Sequence, residues 1–192
     1  MLPLLLASSS VYRRDLLSRL RLRFTCSSPD INESHHPDES ATDLVKRLSL
    51  EKARALAAAH PNHLIIGSDQ VAVLDGKIIG KPHTFEKARE QLLIASGASV
   101  SFLTGLTLLN SQTGHYQTDC IPFTVHMRNL TPEQIERYLL AEQPYDCAGS
   151  FKAEGLGVSL FQRTEGDDAT SLVGLPLIRL VDMLIAEGVA IP

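Results

Sequence analysis

The sequence predicts an α/β fold, and three observations predict it. Short aliphatic runs at 4–7 and 64–66 read as buried strands, and segments with apolar residues every three or four positions alternate with them. Asp75-Gly76 between two further aliphatic runs marks a hairpin. A chain of 192 residues can bury a substantial core and is most simply one domain spanning 1–192, with room for two lobes.

Leu4-Leu5-Leu6-Ala7 is the first expected strand. Ser8-Ser9-Ser10 offers hydroxyl caps to a helix over 12–20, whose Leu16, Leu17 and Leu20 share a face. Helix-start N–H groups with serine hydroxyls and a nearby guanidinium form an anion site, although a capped helix with solvated arginines is the plainer account of these residues alone. Arg19, Arg21 and Arg23 read as a solvated edge. A second strand is expected at 24–26, then a polar loop over 27–39 in which Glu33 is one acid among several. The adjacent His35 and His36 point apart on an extended chain and are rejected as metal ligands. Ser40-Ala41-Thr42-Asp43 opens a helix from about 41 to 59 with Leu44, Val45, Leu48 and Leu56 inward. Lys52 lies on it, at a position where lysine is ordinarily exposed.

The run Leu64-Ile65-Ile66 leads into Gly67-Ser68-Asp69-Gln70, which puts Asp69 where such a strand would leave the core. A rigidly held carboxylate there suits a general base or a metal ligand; an Asx turn capping its own backbone fits equally well. After the hairpin, Gly80-Lys81-Pro82 brings back an ammonium that could meet Asp69 across one cleft. A helix over 84–95 follows, with Ala88, Leu92 and Ala95 inward. Strands at 100–109, interrupted by Gly105, and 116–125 flank the turn cluster 110–114 as a second hairpin. Thr131-Pro132-Glu133-Gln134 is a full helix start, and that helix is expected to run to about 141. Two glycines, Lys152 and Glu154 precede an expected strand at 156–161. Val173-Gly174-Leu175-Pro176 introduces a last helix, with Leu177, Leu180, Val181 and Leu184 on one face and an end at Gly188.

The formal charge of -4 gives no global basic field, so no long nucleic-acid partner is expected, while a small anionic ligand is compatible. No segment approaches membrane-spanning length, and the first six residues are too short for an export signal. Cys26, Cys120 and Cys147 match neither a disulfide framework nor a zinc pattern, which favours a reducing cytoplasm. A serine-arginine helix start, two lysines and one strand-end acid suit phosphate chemistry. Neither a Walker P-loop nor a dinucleotide fingerprint is present.

Leu6-Ala7-Ser8-x-Ser10-x-x-Arg13-Arg14-x-Leu16-Leu17, Glu33, Glu51-Lys52-Ala53, Gly67-Ser68-Asp69-Gln70, Gly80-Lys81-Pro82, Cys147-Ala148-Gly149-Ser150-Phe151 and Val173-Gly174-Leu175-Pro176 closely resemble, from end to end, the Maf family of nucleoside triphosphate pyrophosphatases. The resemblance implies a single two-lobed α/β unit, similar to inosine triphosphatase, with a mixed twisted sheet flanked by helices and a central nucleotide cleft. It implies hydrolysis of a nucleoside triphosphate to the monophosphate and diphosphate with a divalent cation, Mg²⁺, Mn²⁺ or Co²⁺. Members are often dimers, so a homodimer is admitted. By the same resemblance Asp69 is the proton acceptor, Ser8, Arg13, Lys52 and Lys81 lie on the phosphates, and Glu33 with Asp69 helps hold the metal.

Substrate choice rests on the same comparison. Asp146-Cys147-Ala148-Gly149-Ser150-Phe151-Lys152-Ala153-Glu154-Gly155 and Ser68-Asp69-Gln70 look like the family's 7-methyl-GTP subgroup rather than its pyrimidine-directed one. Tyr12, Gln70 and Glu154 then match specificity positions. The subgroup more often has proline and tryptophan where this chain has Val11-Tyr12. The alternatives are a dTTP/UTP pyrophosphatase of the same family and a nucleotide-sensing regulator of cell division.

Overall fold

Leu4 to Ala7 are all buried, so the first strand is covered on both of its faces. The computed structural model describes residues 2–192. In chain order these form β1 (Leu4–Ala7), α1 (Val11–Ser18), β2 (Phe24–Ser27), α2 (Ala41–Ala57), β3 (Leu64–Leu74), β4 (Lys77–Ile79), α3 (Phe85–Ala95), β5 (Ser99–Asn110), β6 (Tyr116–Met127), α4 (Pro132–Glu142), β7 (Phe161–Glu165), α5 (Ala169–Leu172) and α6 (Leu177–Ala186). One seven-stranded sheet runs β2-β1-β3-β5-β6-β7, with β4 paired to β3. It is mixed: β1 lies parallel to β2 and β3, whereas β3–β4 and β6–β7 are antiparallel. The expected mixed α/β sheet with flanking helices is therefore present.

Two compact units divide the chain. The first holds the described residues through Gln70 with Thr104–Ile121 and Asp168–Pro192; the second holds Val71–Leu103 and Pro122–Asp167. In the first unit the period-two alternation of the strands sorts two cores. Leu4, Leu6, Leu64 and Ile66 pack with Leu16 and Leu17 of α1 and Leu180 and Leu184 of α6. Leu5, Ala7 and Ile65 point the other way, onto Ala53 and Leu56 of α2. That helix sits unusually close to the sheet. A Cβ at Gly67 would collide with the Ser49 carbonyl, and one at Gly105 with the Val45 carbonyl. Glycine at both positions lets the backbones approach.

Helix starts follow the expected caps. The Ser10 and Ser40 side chains accept from the N–H groups of Arg13 and Asp43, and Thr84, which was not among the expected caps, accepts from that of Lys87. Thr131 and Gln134 complete a reciprocal capping box on α4. Asp75 and Gly76 take φ values of 49° and 75° in the β3–β4 hairpin, the left-handed pair that a two-residue turn requires.

In the second unit α3 and α4 pack together. The Cys147-to-Phe151 motif is structural there. Gly149 has φ 75°, where a side chain would press on the Phe102 ring, and Phe151 stacks edge-on against Phe102 and Phe161 at 5.2 and 4.8 Å.

Several expectations need correction. The strand begun at Leu64 does not leave the core at Gly67 but continues unbroken to Leu74. Gly105 does not interrupt β5. Residues 156–161 are not a strand: Leu156–Leu160 is a 3-10 turn and β7 begins at Phe161. The Gly155 and Gly157 N–H groups both donate to the Lys152 carbonyl, at 3.2 and 3.1 Å, so local bonding wins over extension. On α6 Met183 joins the buried face, while Val181 is only half-buried. No helix among the described residues is long and apolar enough to cross a membrane.

Candidate active site

Alternation along β3 aims Asp69 at the same side as Ile65 and Gly67, toward α2. The close approach allowed by Gly67 brings Lys52 within reach. Its Nζ donates to Asp69 Oδ1 at 2.7 Å and pairs with Glu33 Oε1 at 3.0 Å. The Lys52 and Asp69 side chains are 8% and 11% exposed, so this is a buried pair, whereas Glu33, at 59%, reaches in from the loop. Asp69 lies inside a regular strand, which rules out the Asx turn. Lys52 is likewise no solvated helix lysine.

A second cation holds the Glu33 loop. Arg47 Nε and Nη2 donate to the two Glu39 oxygens at 2.6 and 2.8 Å, Nη1 to Glu51 at 3.1 Å, and Nη2 also to the Ser34 carbonyl at 3.0 Å. Arg47 thereby brings Glu39 down to about 2 and ties the loop to α2 one residue from Glu33. Neither Arg47 nor Glu39 was singled out from sequence. An Arg and a Glu eight positions apart across a helix start carry no spacing signal.

Ser8 and Arg13 are brought together as expected. Ser8 Oγ, buried at the end of β1, accepts from the Ser10 N–H at 3.1 Å and from Arg13 Nη1 at 3.5 Å. Arg13 Nε donates to the Gly174 carbonyl at 2.8 Å. Desolvation lowers the Arg13 guanidinium from its ordinary value, and the charges of Asp69 and then Glu33 pull it back up. Arg13 is thus electrostatically coupled to both carboxylates. Ser68 Oγ lies 2.9 Å from both the Gly105 and Gly174 carbonyls. Ser68 and Gly174 are therefore part of the support for Arg13. Both stand inside motifs read for other residues, and only the fold assigns them this task.

Gln70 faces away from Asp69, because neighbours on a strand alternate. Its Nε2 donates to Thr104 Oγ1 at 2.9 Å and to the Ser171 and Leu172 carbonyls at 2.7 and 3.2 Å. Asp69 and Gln70, adjacent in the motif, thus present their side chains to opposite faces of β3. What Gln70 has left for a ligand is its amide oxygen. Tyr12 is half-buried at the start of α1. Lys81 and Glu154 belong to the second unit, both exposed. There Cys147 is raised to about 11, first by burial and then by the Glu154 charge. All three cysteines are free.

Among the described residues no group of three or more His, Cys, Asp and Glu is placed to hold a metal ion. Asp69 and Glu33, converging on one ammonium, supply two carboxylates. That donor set fits a hard divalent cation that completes its shell with phosphate oxygens and water.

The chain has whole-length relatives among known proteins. It is 80% identical over 192 residues, the whole of both chains, to a 7-methyl-GTP pyrophosphatase of Pseudomonas fluorescens (strain Pf0-1), and 81% identical, again over both whole chains, to one of strain Pf-5. A 7-methyl-GTP pyrophosphatase of Pseudomonas aeruginosa is 69% identical over 98% of both chains. Among solved structures, a HAM1 protein from Coxiella burnetii superposes with a TM-score of 0.47 at 14% identity, over 80% of this chain and 89% of that one. The model of the family described as Maf-like protein matches residues 3–187. The chain belongs to the Maf-like protein family.

Proposed function

We propose that the protein hydrolyses 7-methyl-GTP to 7-methyl-GMP and diphosphate, with Asp69 as general base. The observation that carries this is the buried Asp69–Lys52 pair with Glu33 on the same ammonium and Arg13 within electrostatic reach. Whole-length relatives named 7-methyl-GTP pyrophosphatase support the choice of substrate.

In this reading a water oxygen attacks the α-phosphorus while its proton passes to the Asp69 carboxylate. The bond from the α-phosphorus to the oxygen bridging to the β-phosphate breaks, and diphosphate leaves with the electron pair. Lys52 holds Asp69 in one orientation, and it and Arg13 oppose the charge that grows on the phosphoryl oxygens. Glu33 and Asp69 would hold a divalent cation, which when bound neutralises phosphate charge. Lys81 is assigned to the phosphates by resemblance. N7-methylation makes the guanine cationic, so stacking on Tyr12 would add about 0.5–2 kcal/mol, and Glu154 would accept from N1–H and the N2 amine. Cytoplasmic residence belongs to the same proposal, supported by three free thiols.

The test is diphosphate release from a panel of canonical and methylated nucleoside triphosphates with Mg²⁺ or Mn²⁺. The expected outcome is turnover of 7-methyl-GTP, reduced about 10²–10⁴-fold by Asp69→Asn with the fold retained by circular dichroism. Turnover of dTTP and UTP but not 7-methyl-GTP would overturn the substrate assignment. An Asp69→Asn chain that still restored a cell-division phenotype would favour the regulator instead.

A further inference from the structure

We propose a second anion site, in the second unit, that takes a small phosphate-bearing molecule. A cavity of about 300 Å³ opens there between Arg128, Asn129, Gln134, Arg137, Tyr138 and Ser159 over three leucines. None of the residues assigned to nucleotide hydrolysis lines it, and no carboxylate does. Both guanidiniums are uncommitted, which sets them apart from other arginines of this chain. Arg47, Arg89, Arg163 and Arg179 each pair with an acid, whereas Arg128 and Arg137 make neither an ion pair nor a side-chain hydrogen bond among the described residues. Glu133 is lowered first by the Thr131 hydroxyl and only in lesser part by the Arg137 charge, and it lies outside the lining.

Two of the remaining polar groups have protons to offer, whereas the Ser159 hydroxyl already donates to the Leu156 carbonyl at 2.7 Å. Gln134 Oε1 already accepts from the Thr131 N–H at 2.9 Å, so its amide N–H groups are the part left to offer. The Tyr138 oxygen accepts from the Lys152 N–H at 3.0 Å, so its own proton is available to donate. Gln134 stands in the first turn of α4, where the helix dipole adds positive potential, and Arg137 and Tyr138 follow it along the same helix. Two forked guanidiniums, an amide and a phenol match the several acceptor oxygens of a phosphate better than the two of a carboxylate. A cavity of this volume also leaves space over the leucines for an apolar or planar body. The ligand class is therefore a phosphate monoester of about mononucleotide size, with phosphate as the recognised group.

The experiment titrates the full chain with inorganic phosphate and, separately, with a nucleoside monophosphate, following the guanidinium Nε–Hε resonances of Arg128 and Arg137 by NMR. Saturable shifts of both are expected. A response to phosphate alone identifies the headgroup as sufficient, and a response only to the monophosphate shows that the body contributes; both support the site. Arg128→Ala or Arg137→Ala should weaken binding about tenfold or more, and Arg137→Glu should abolish it, with the melting temperature of the unliganded chain and its basal turnover unchanged. Unmoved resonances in folded wild type, or variants that bind as wild type does, would sink the proposal. A chain inert toward 7-methyl-GTP that still titrates here would reject the hydrolytic assignment and leave this one standing.

Discussion

Lys52 shows how one residue can set both stability and chemistry. Its ammonium is the hydrogen-bond donor between a carboxylate fixed in β3 and one carried by a loop. Removing one member of a buried pair strands the other charge without water, at a cost of about 3–5 kcal/mol, far more than an exposed pair contributes. Lys52→Met should therefore lower stability by that amount in urea denaturation. The double variant Lys52→Met/Asp69→Leu should recover much of the loss, because neither member of the buried pair is left facing the other's absence and the remaining partner, Glu33, is 59% exposed. Strict additivity of the two single changes would show that the ammonium and the carboxylate do not depend on each other. Nothing in the spacing of 52 and 69 foretold this pair. A lysine on a helix and an aspartate on a strand look ordinary until the packing of one element on the other is known.

At the scale of elements, α2 is placed by two glycines rather than by its own apolar face alone. Gly67 and Gly105 admit the carbonyls of Ser49 and Val45, and Lys52 lies one turn beyond Ser49. Gly67→Ala should push the helix away, cost about 1–3 kcal/mol by overpacking, and lower kcat by separating Lys52 from Asp69. Gly80→Ala, where a Cβ meets open space, is the control and should leave the melting temperature unchanged. If both variants melted alike, the close approach would not matter. The same glycines explain where sequence reading failed. Gly67 and Gly105 looked like strand breaks because glycine in a strand commonly marks one, yet here each accommodates a neighbouring backbone. The hairpin at Asp75-Gly76 and the capped starts of α1, α2 and α4 were legible, since their signals are local. The turn at Leu156–Leu160 was not, because a short apolar run says nothing about where its N–H groups will bond.

For the molecule as a whole, the site residues that could be named in advance were those carried by family motifs; the supports were not, since Ser68 and Thr104 act through partners distant in sequence and Arg47 reaches back across a helix start to Glu39 and Ser34. One consequence reaches the stability of the entire chain against pH. Glu39 is held at about 2, against an ordinary 4.5, by its hydrogen bonds to Arg47. A folded-state value depressed in this way contributes stability that is present above about 4.5 and is lost as pH falls toward 2. Cys147 acts in the opposite direction. Its folded value is raised from 9.0 to about 11, so the unfolded chain ionises first and stability declines as pH climbs between those values. Urea midpoints measured across pH should show both limbs. Glu39→Gln should flatten the acid limb and leave the alkaline one, and Cys147→Ala should do the reverse. An acid limb unchanged in Glu39→Gln would mean that the Arg47 clamp on the Glu33 loop opens before the fold does, and that the loop contributes nothing to global stability.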